Sequence, residues 1–188
     1  MVLERFRNRA RPSSARPFCP QLAKNSYPRY KHLRESFRQD FDEFRKVFDD
    51  EGWGALEPNQ SEVTYVNLIP AGEGWQEHGQ LEKVCTLFNL HYTGEDRGLP
   101  EEVSVGGKYV LKDEDGAPVG RLNFAANPVV HVSDNHPAIR LTLTARGAPI
   151  GEQIDGVLRF LDHGHAAIVR TFTSITTKEM HKIWKRTR

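Results

Sequence analysis

The C-terminal part of the chain carries two clear hydrophobic periods, and each predicts a different element. Apolar and polar residues alternate from Ile139 to Arg146, so one face of an extended chain is apolar and the other is polar. This alternation predicts a half-buried strand of an antiparallel sheet. From Glu152 to Ser174 the apolar residues recur in steps of three and four, which predicts a long amphipathic helix. The apolar stripe of this helix is Ile154, Val157, Leu158, Leu161, Ile168, Val169, Phe172 and Ile175.

A helix-start signal follows this long helix. Thr176 and Glu179 match the S/T-x-x-E capping box, in which the hydroxyl and the carboxylate each accept a hydrogen bond from an N–H group of the first turn. The match predicts a short C-terminal helix with Met180, Ile183 and Trp184 on one side.

A second striped helix is predicted earlier, from Pro28 in its first turn to about Glu51. Its apolar stripe is Tyr30, Leu33, Phe37, Phe41, Phe44 and Phe48. The strand predicted next, Ser61 to Ile69, has apolar residues on both faces, which is typical of a strand in the centre of a sheet. Glu62 and Asn67 are polar members of this strand, and a polar group on a covered strand needs a partner.

The middle of the chain predicts further strands and one ambiguous segment. Gln80 to Leu90 fits either a short helix or a strand. Val103 to Leu111 and Val119 to Phe124 flank Asp115-Gly116, which is a hairpin signal. Val129 to Val132 fits a separate strand, entered through an Asn-Pro dipeptide.

These elements together predict an α+β fold. We expect an antiparallel sheet of about four to six strands, two long amphipathic helices packed on one face, and a short C-terminal helix. The length of 188 residues suits one domain, which we expect over residues 26–188. Residues 1–25 are rich in Arg, Pro and Ser and show neither period, so we expect a disordered basic tail there.

Composition narrows the class of protein. The net charge is +1, so no global charge attracts the chain to nucleic acid or to a membrane surface. No apolar run approaches the roughly 18–20 residues that a membrane-spanning helix needs. Cys19 and Cys85 are far apart and match no metal-binding or redox spacing, so we expect free thiols and a cytoplasmic location.

Candidate chemistry centres on one helix and one strand. The chain has no nucleophile motif, phosphate loop or dinucleotide fingerprint, and we expect no metal or other cofactor. His165 lies in the apolar stripe of the long helix, where a histidine is either a hydrogen-bonded core residue or a ligand-binding one, and Asp162 is close enough to meet it. We predict a ligand-binding surface made of Glu62, Tyr65, Asn67, Asp162 and His165.

Several short sequence motifs of the chain resemble those of a known family. They are Tyr27-Pro28-Arg29-Tyr30; Pro58-Asn59-Gln60 followed by Glu62-Val63-Thr64-Tyr65-Val66-Asn67; and Phe160-Leu161-Asp162, His165, Ile168-Val169-Arg170, Phe172-Thr173, Ile175-Thr176-Thr177, Met180-His181 and Trp184. In order and spacing they resemble a sporadically distributed bacterial family of uncharacterised proteins. The resemblance implies no activity, because that family has none established.

The resemblance does imply a difference at the N-terminus. Members of that family are longer there, with strands before the Tyr-Pro segment, whereas this chain has Arg5-Phe6-Arg7-Asn8-Arg9 and a Pro/Ser-rich run. We therefore expect a shortened or diverged start that leaves one sheet edge open. An open edge predicts homo-oligomers or aggregation.

Three functional hypotheses follow. The first is a non-enzymatic module that binds a partner protein or a small molecule on its sheet. The second is a hydrolase-type enzyme that uses Asp162, His165 and Glu62. The third is nucleic-acid binding through the two basic ends. The tail has only two aromatic residues, Phe6 and Phe18, and cations favour a helix C-terminus in any case, so the sequence favours the other two hypotheses.

Overall fold

The computed structural model describes residues 30–72, 74–87, 100–130 and 135–185. The expected tail over residues 1–25 and the first turn of the first helix lie outside these ranges. The helices are α1 (Tyr30–Asp50), α2 (Leu81–Val84), α3 (Gln153–Ile175) and α4 (Lys178–Ile183), with a 3₁₀ turn at His78–Gln80. The strands are β1 (Ser61–Pro70), β2 (Val105–Lys112), β3 (Pro118–Val130) and β4 (Pro137–Gly147).

The fold is α+β with a four-stranded antiparallel sheet, as the hydrophobic pattern predicts. The strand order is β1-β4-β3-β2. Along the pair of strands β1 and β4, the residues in contact have numbers that rise along β1 and fall by the same amount along β4. The pairs are Glu62 with Arg146, Thr64 with Thr144, and Ala71 with Pro137. This is antiparallel register.

The prediction that β1 is central is wrong for the sheet that the described residues form, because β1 is its outermost strand. Both faces of β1 hold apolar residues for different reasons. Val63 is fully buried, whereas Val66 and Leu68 on the other face are exposed. An apolar residue on the surface is ordinary, so a two-sided apolar pattern does not prove burial on both faces.

The prediction of two separate strands at Val119–Phe124 and Val129–Val132 is also wrong, because β3 continues through Pro128 to Val130. Proline removes a backbone donor, which matters only where a neighbouring strand would accept from it. Gly106, the second residue of β2, lies against the backbone of Phe124 and Ala125. Pro128 therefore lies beyond the end of β2.

The start of α4 is displaced by one residue from the predicted capping box. Thr177 is the N-cap, and its hydroxyl accepts a hydrogen bond from the N–H of Met180 at 3.3 Å. Thr176 is engaged elsewhere, because its hydroxyl donates to Phe172 O and lies 2.6 Å from His181 Nε2.

The ambiguous segment after residue 80 is helical at its start. It forms α2, whose end is joined to the α3–α4 connection by a bridge between Cys85 and Thr176. The short helix is therefore the reading that the described residues support; residues 88–90 lie outside them.

Helices α1 and α3 run antiparallel to each other. Arg34 contacts Asp162, and one turn later Arg38 contacts Asp155 at 3.2 Å. Helix α3 also packs closely on the sheet at Gly164. A Cβ atom at this position would lie 2.8 Å from Ala145 Cβ and 2.9 Å from Val63 Cγ1, so the absence of a side chain permits the close approach.

The described residues form two compact units. The first takes the described residues of 1–65, with 110–122 and 144–167; the second takes those of 66–109, 123–143 and 168–188. All four strands and α3 contribute residues to both units, and one domain over residues 26–188 remains a prediction. Among the described residues, no helix combines the length and the apolar character that crossing a membrane requires.

Candidate functional site

A group of polar side chains in the first unit is held together by hydrogen bonds and ring stacking around His165. Helix α1 supplies Tyr30 and Arg34, which are one turn apart. Helix α3 supplies Asp162 and His165, also one turn apart, and β1 supplies Tyr65. We call these five residues the His165 cluster.

His165 is oriented from two sides. Tyr65 Oη lies 2.8 Å from His165 Nδ1, and the Tyr30 ring stacks on the imidazole with centroids 3.9 Å apart and planes 6° apart. Together these contacts fix both the position and the rotation of the imidazole. Burial lowers the pKa of His165, while the nearby Asp162 carboxylate opposes this shift. The neutral ring is therefore the form that the cluster favours near pH 7.

The second ring nitrogen of His165, Nε2, has no hydrogen-bond partner among the described residues. It nevertheless retains some contact with solvent, unlike the few described polar atoms that are buried without a partner. An imidazole held through Nδ1 with Nε2 open can donate or accept a hydrogen bond, depending on its tautomer.

Asp162 binds across the two helices. One of its carboxylate oxygens accepts a hydrogen bond from Tyr30 Oη at 2.8 Å, and Arg34 Nε lies 2.8 and 3.0 Å from its two oxygens. Burial first, and then the bond to Asp162, raise the pKa of Tyr30 far above its ordinary value. Tyr30 therefore remains a protonated donor, and the bond to Asp162 also raises the pKa of Arg34.

Of the five residues predicted for a ligand surface, the structure brings Tyr65, Asp162 and His165 together. Glu62 points to the opposite face of β1 from Tyr65, since successive strand residues alternate faces. Its buried carboxylate is bound there by the guanidinium of Arg146. Asn67 belongs to the second unit, where its Nδ2 donates to Leu141 O at 3.3 Å.

The hydrolase arrangement of Asp162, His165 and Glu62 is not assembled in the described structure. No hydrogen bond joins any two of these three side chains. Asp162 is instead occupied by its two α1 partners. Among the described residues, no group of three or more His, Cys, Asp or Glu side chains could hold a metal ion.

Sequence reasoning missed Tyr30 and Arg34. Tyr30 belongs to the apolar stripe of α1, so the sequence pattern predicts a buried core ring and gives no sign that its hydroxyl has a polar partner. The available signal was the spacing of a tyrosine and an arginine four residues apart, which places both on one side of the helix. That spacing cannot say which element faces them.

Comparison of the chain with models of protein families, with curated proteins and with solved structures gives no match. Function must therefore be argued from the chemistry of the His165 cluster.

Proposed function

We propose that this chain is a non-enzymatic binding module whose first unit holds a small molecule or a partner group at the His165 cluster. The observation that carries the proposal is the imidazole of His165, fixed by Tyr30 and Tyr65, with Nε2 left without a partner among the described residues. A preformed hydrogen-bonding group loses little freedom on binding, which favours recognition.

The chemistry of the cluster indicates a polar ligand group. If Tyr65 donates to Nδ1, then Nε2 carries the proton and donates to a carbonyl or carboxylate; in the other tautomer Nε2 accepts from a hydroxyl or amide. Arg34 is about one-third exposed and Asp162 somewhat more, at 32% and 43% of their side chains. Both therefore remain accessible beside the histidine.

Two alternatives have weaker support. Hydrolysis needs a positioned acid–base pair, and Asp162 is bound to Tyr30 and Arg34 rather than to His165. Nucleic-acid binding would use the two basic ends, of which residues 1–20 and 186–188 lie outside the described ranges and Lys178, Lys182 and Lys185 lie within them. A gel shift with DNA and RNA at low salt tests the latter, because phosphate contacts give an affinity that falls steeply with salt.

The test of the main proposal follows the histidine ring signals by NMR while small carboxylates, phosphates, amides and polyols are titrated in. We expect at least one class to shift His165, and the shift to disappear in His165→Phe. His163→Phe is the matched control, since it changes a histidine two residues away on the same helix. If no class shifts His165, or if both variants bind as the parent chain does, the cluster is not a binding site.

We also propose that the chain self-associates through β1. Of the two outer strands of the described sheet, β2 carries Lys108 and Lys112, which discourage edge pairing, whereas β1 has no lysine or arginine. Sedimentation should show a concentration-dependent dimer that Val66→Lys weakens and Val110→Lys on β2 does not. A monomer at every concentration would contradict this.

Three finer expectations are proposals of the same kind. We infer that α1 shares the sheet face of α3, because Tyr30 of α1 and Tyr65 of β1 both contact His165. A cytoplasmic location is supported by the free, buried thiol of Cys85, whose pKa is raised by burial. The family resemblance over Tyr27 to Trp184 also stands as a proposal.

A further inference from the structure

The C-terminal half of α1 and the turn that follows it expose large apolar side chains that are not part of the His165 cluster. The exposed fractions are 37% for Phe44, 49% for Val47 and 57% for Trp53. Phe44 and Val47 are three residues apart and therefore adjacent on the helix surface. We call these three residues the α1 patch.

The residues of the patch are held in place by a defined helix C-cap, so the patch is an ordered surface and not a fraying helix end. Gly52, with φ of 65°, ends the helix, and the Trp53 N–H donates to Phe48 O at 3.1 Å. This is the Schellman arrangement, in which the residue after the glycine packs back onto the last turn. The Trp53 ring accordingly meets the Phe48 ring edge-on with centroids 5.2 Å apart, and the centroids of Phe44 and Phe48 are 5.0 Å apart.

Carboxylates flank the patch on the helix surface, and the two basic residues of the same turn are Arg45 and Lys46. Residues three or four positions away on a helix are surface neighbours. Around Phe44 and Val47, every such neighbour that is not apolar is acidic: Asp40, Glu43, Asp50 and Glu51. None of these four forms an ion pair within the described part of the chain. Acidic residues in the last turn are also disfavoured by the negative end of the helix dipole. A basic partner would relieve both effects, whereas a second copy of the same patch would add repulsion.

The chain contains a segment of matching chemistry. Residues 1–20 hold five arginines against one glutamate, together with Phe6 and Phe18 as apolar anchors. We propose that this basic N-terminal segment docks on the α1 patch of its own chain. Its arginines would pair with the four carboxylates, and a phenylalanine would cover Val47 and Trp53.

The length of the connection permits this. Phe44 lies about 21 Å along the axis from Tyr30, at roughly 1.5 Å per residue. The ten Cα–Cα steps from residue 20 to Tyr30 can span up to about 33–36 Å when extended. Every part of residues 1–20 therefore reaches the patch. A short tether also gives an effective concentration on the order of millimolar, so a weak contact is populated.

The experiment compares quenching of Trp53 fluorescence by acrylamide in the full chain and in charge-reversed variants. The Trp53 signal is obtained by subtracting each chain's own Trp53→Phe version. The tail variant carries Arg5→Glu, Arg7→Glu and Arg9→Glu. The matched control carries Lys178→Glu, Lys182→Glu and Lys185→Glu, which changes the net charge equally in the second unit.

We expect the quenching constant of Trp53 to rise about twofold in the tail variant if the patch is covered about half the time, and to stay unchanged in the control. High salt should produce the same rise in the parent chain. Equal quenching of all three proteins overturns the proposal. A photo-crosslinker at Phe6 should join residues 40–53 of the same chain. Crosslinks found only between isotopically distinct chains also overturn it.

Discussion

Replacing Gly164 by alanine sets two physical effects against each other. In an isolated helix the change would stabilise α3 by about 1 kcal/mol, because glycine is a poor helix former. In the folded chain the new methyl group would lie 2.8 Å from Ala145 Cβ and 2.9 Å from Val63 Cγ1. Carbon atoms in good contact are about 3.5–4.0 Å apart, so the overlap is roughly 0.6–1.2 Å on two sides.

Neither neighbour can yield easily. Ala145 Cβ is attached directly to the backbone of β4, and Val63 is a β-branched residue with few rotamers; both residues are fully buried. Overpacking typically costs about 1–3 kcal/mol, and the rigidity of this site places Gly164→Ala in the upper half of that range. After subtracting the gain in helix propensity, we expect a net loss of about 1–2 kcal/mol.

Urea unfolding measures this loss. With a slope of about 2 kcal/mol/M, the midpoint should fall by roughly 0.5–1 M with little change of slope. Val63→Ala supplies the internal control: in the Gly164→Ala background it should cost at least about 1 kcal/mol less than it does alone, since it removes one of the two clashes. A Gly164→Ala protein that is more stable than the parent would refute the close packing of α3 on β1 and β4.

Three further predictions concern stability. Thr177→Ala should lower the free energy of unfolding in urea by about 1–2 kcal/mol, because it removes the N-cap of α4. Glu179→Ala should change it by less than about 0.5 kcal/mol. A larger loss for Glu179→Ala than for Thr177→Ala would instead support the capping box predicted from the sequence. Arg34→Ala should destabilise more than Arg38→Ala, whose ion pair is more exposed at 47% and 62%, and equal losses would count against the cluster. Because the pKa of His165 is lowered from 6.5, the unfolded chain binds its proton more readily, so acidification below about pH 6.5 should destabilise the parent chain more than His165→Gln. Parallel pH curves would contradict this.

Most of the elements could be predicted from the sequence where one local pattern was clear. The alternation around Ile139 to Arg146 and the three-four spacing of α1 and α3 are confirmed as strand and helices. The Asp115-Gly116 turn is likewise confirmed between β2 and β3. In each case the signal lies within the element, because side-chain periodicity follows from the backbone geometry of one segment.

Predictions failed where the outcome depended on a neighbour. The position of β1 in the sheet, the continuation of β3 through Pro128 and the choice of Thr177 over Thr176 as helix cap were all decided by contacts with other segments. The candidate site shows the same division. Asp162 and His165 were recognisable as a pair one turn apart, yet each found its hydrogen-bond partner on a different element.

The sequence by itself thus determined most of the helices and strands and which of their faces are apolar. Only the tertiary structure decided that Tyr30 and Arg34 meet Asp162, that Tyr65 meets His165, and that Glu62 faces away from them. The physical reason is that periodicity fixes the direction of a side chain relative to its own element. The partner of that side chain depends on how separate elements pack, which is set by the shapes and close approaches of all of them together.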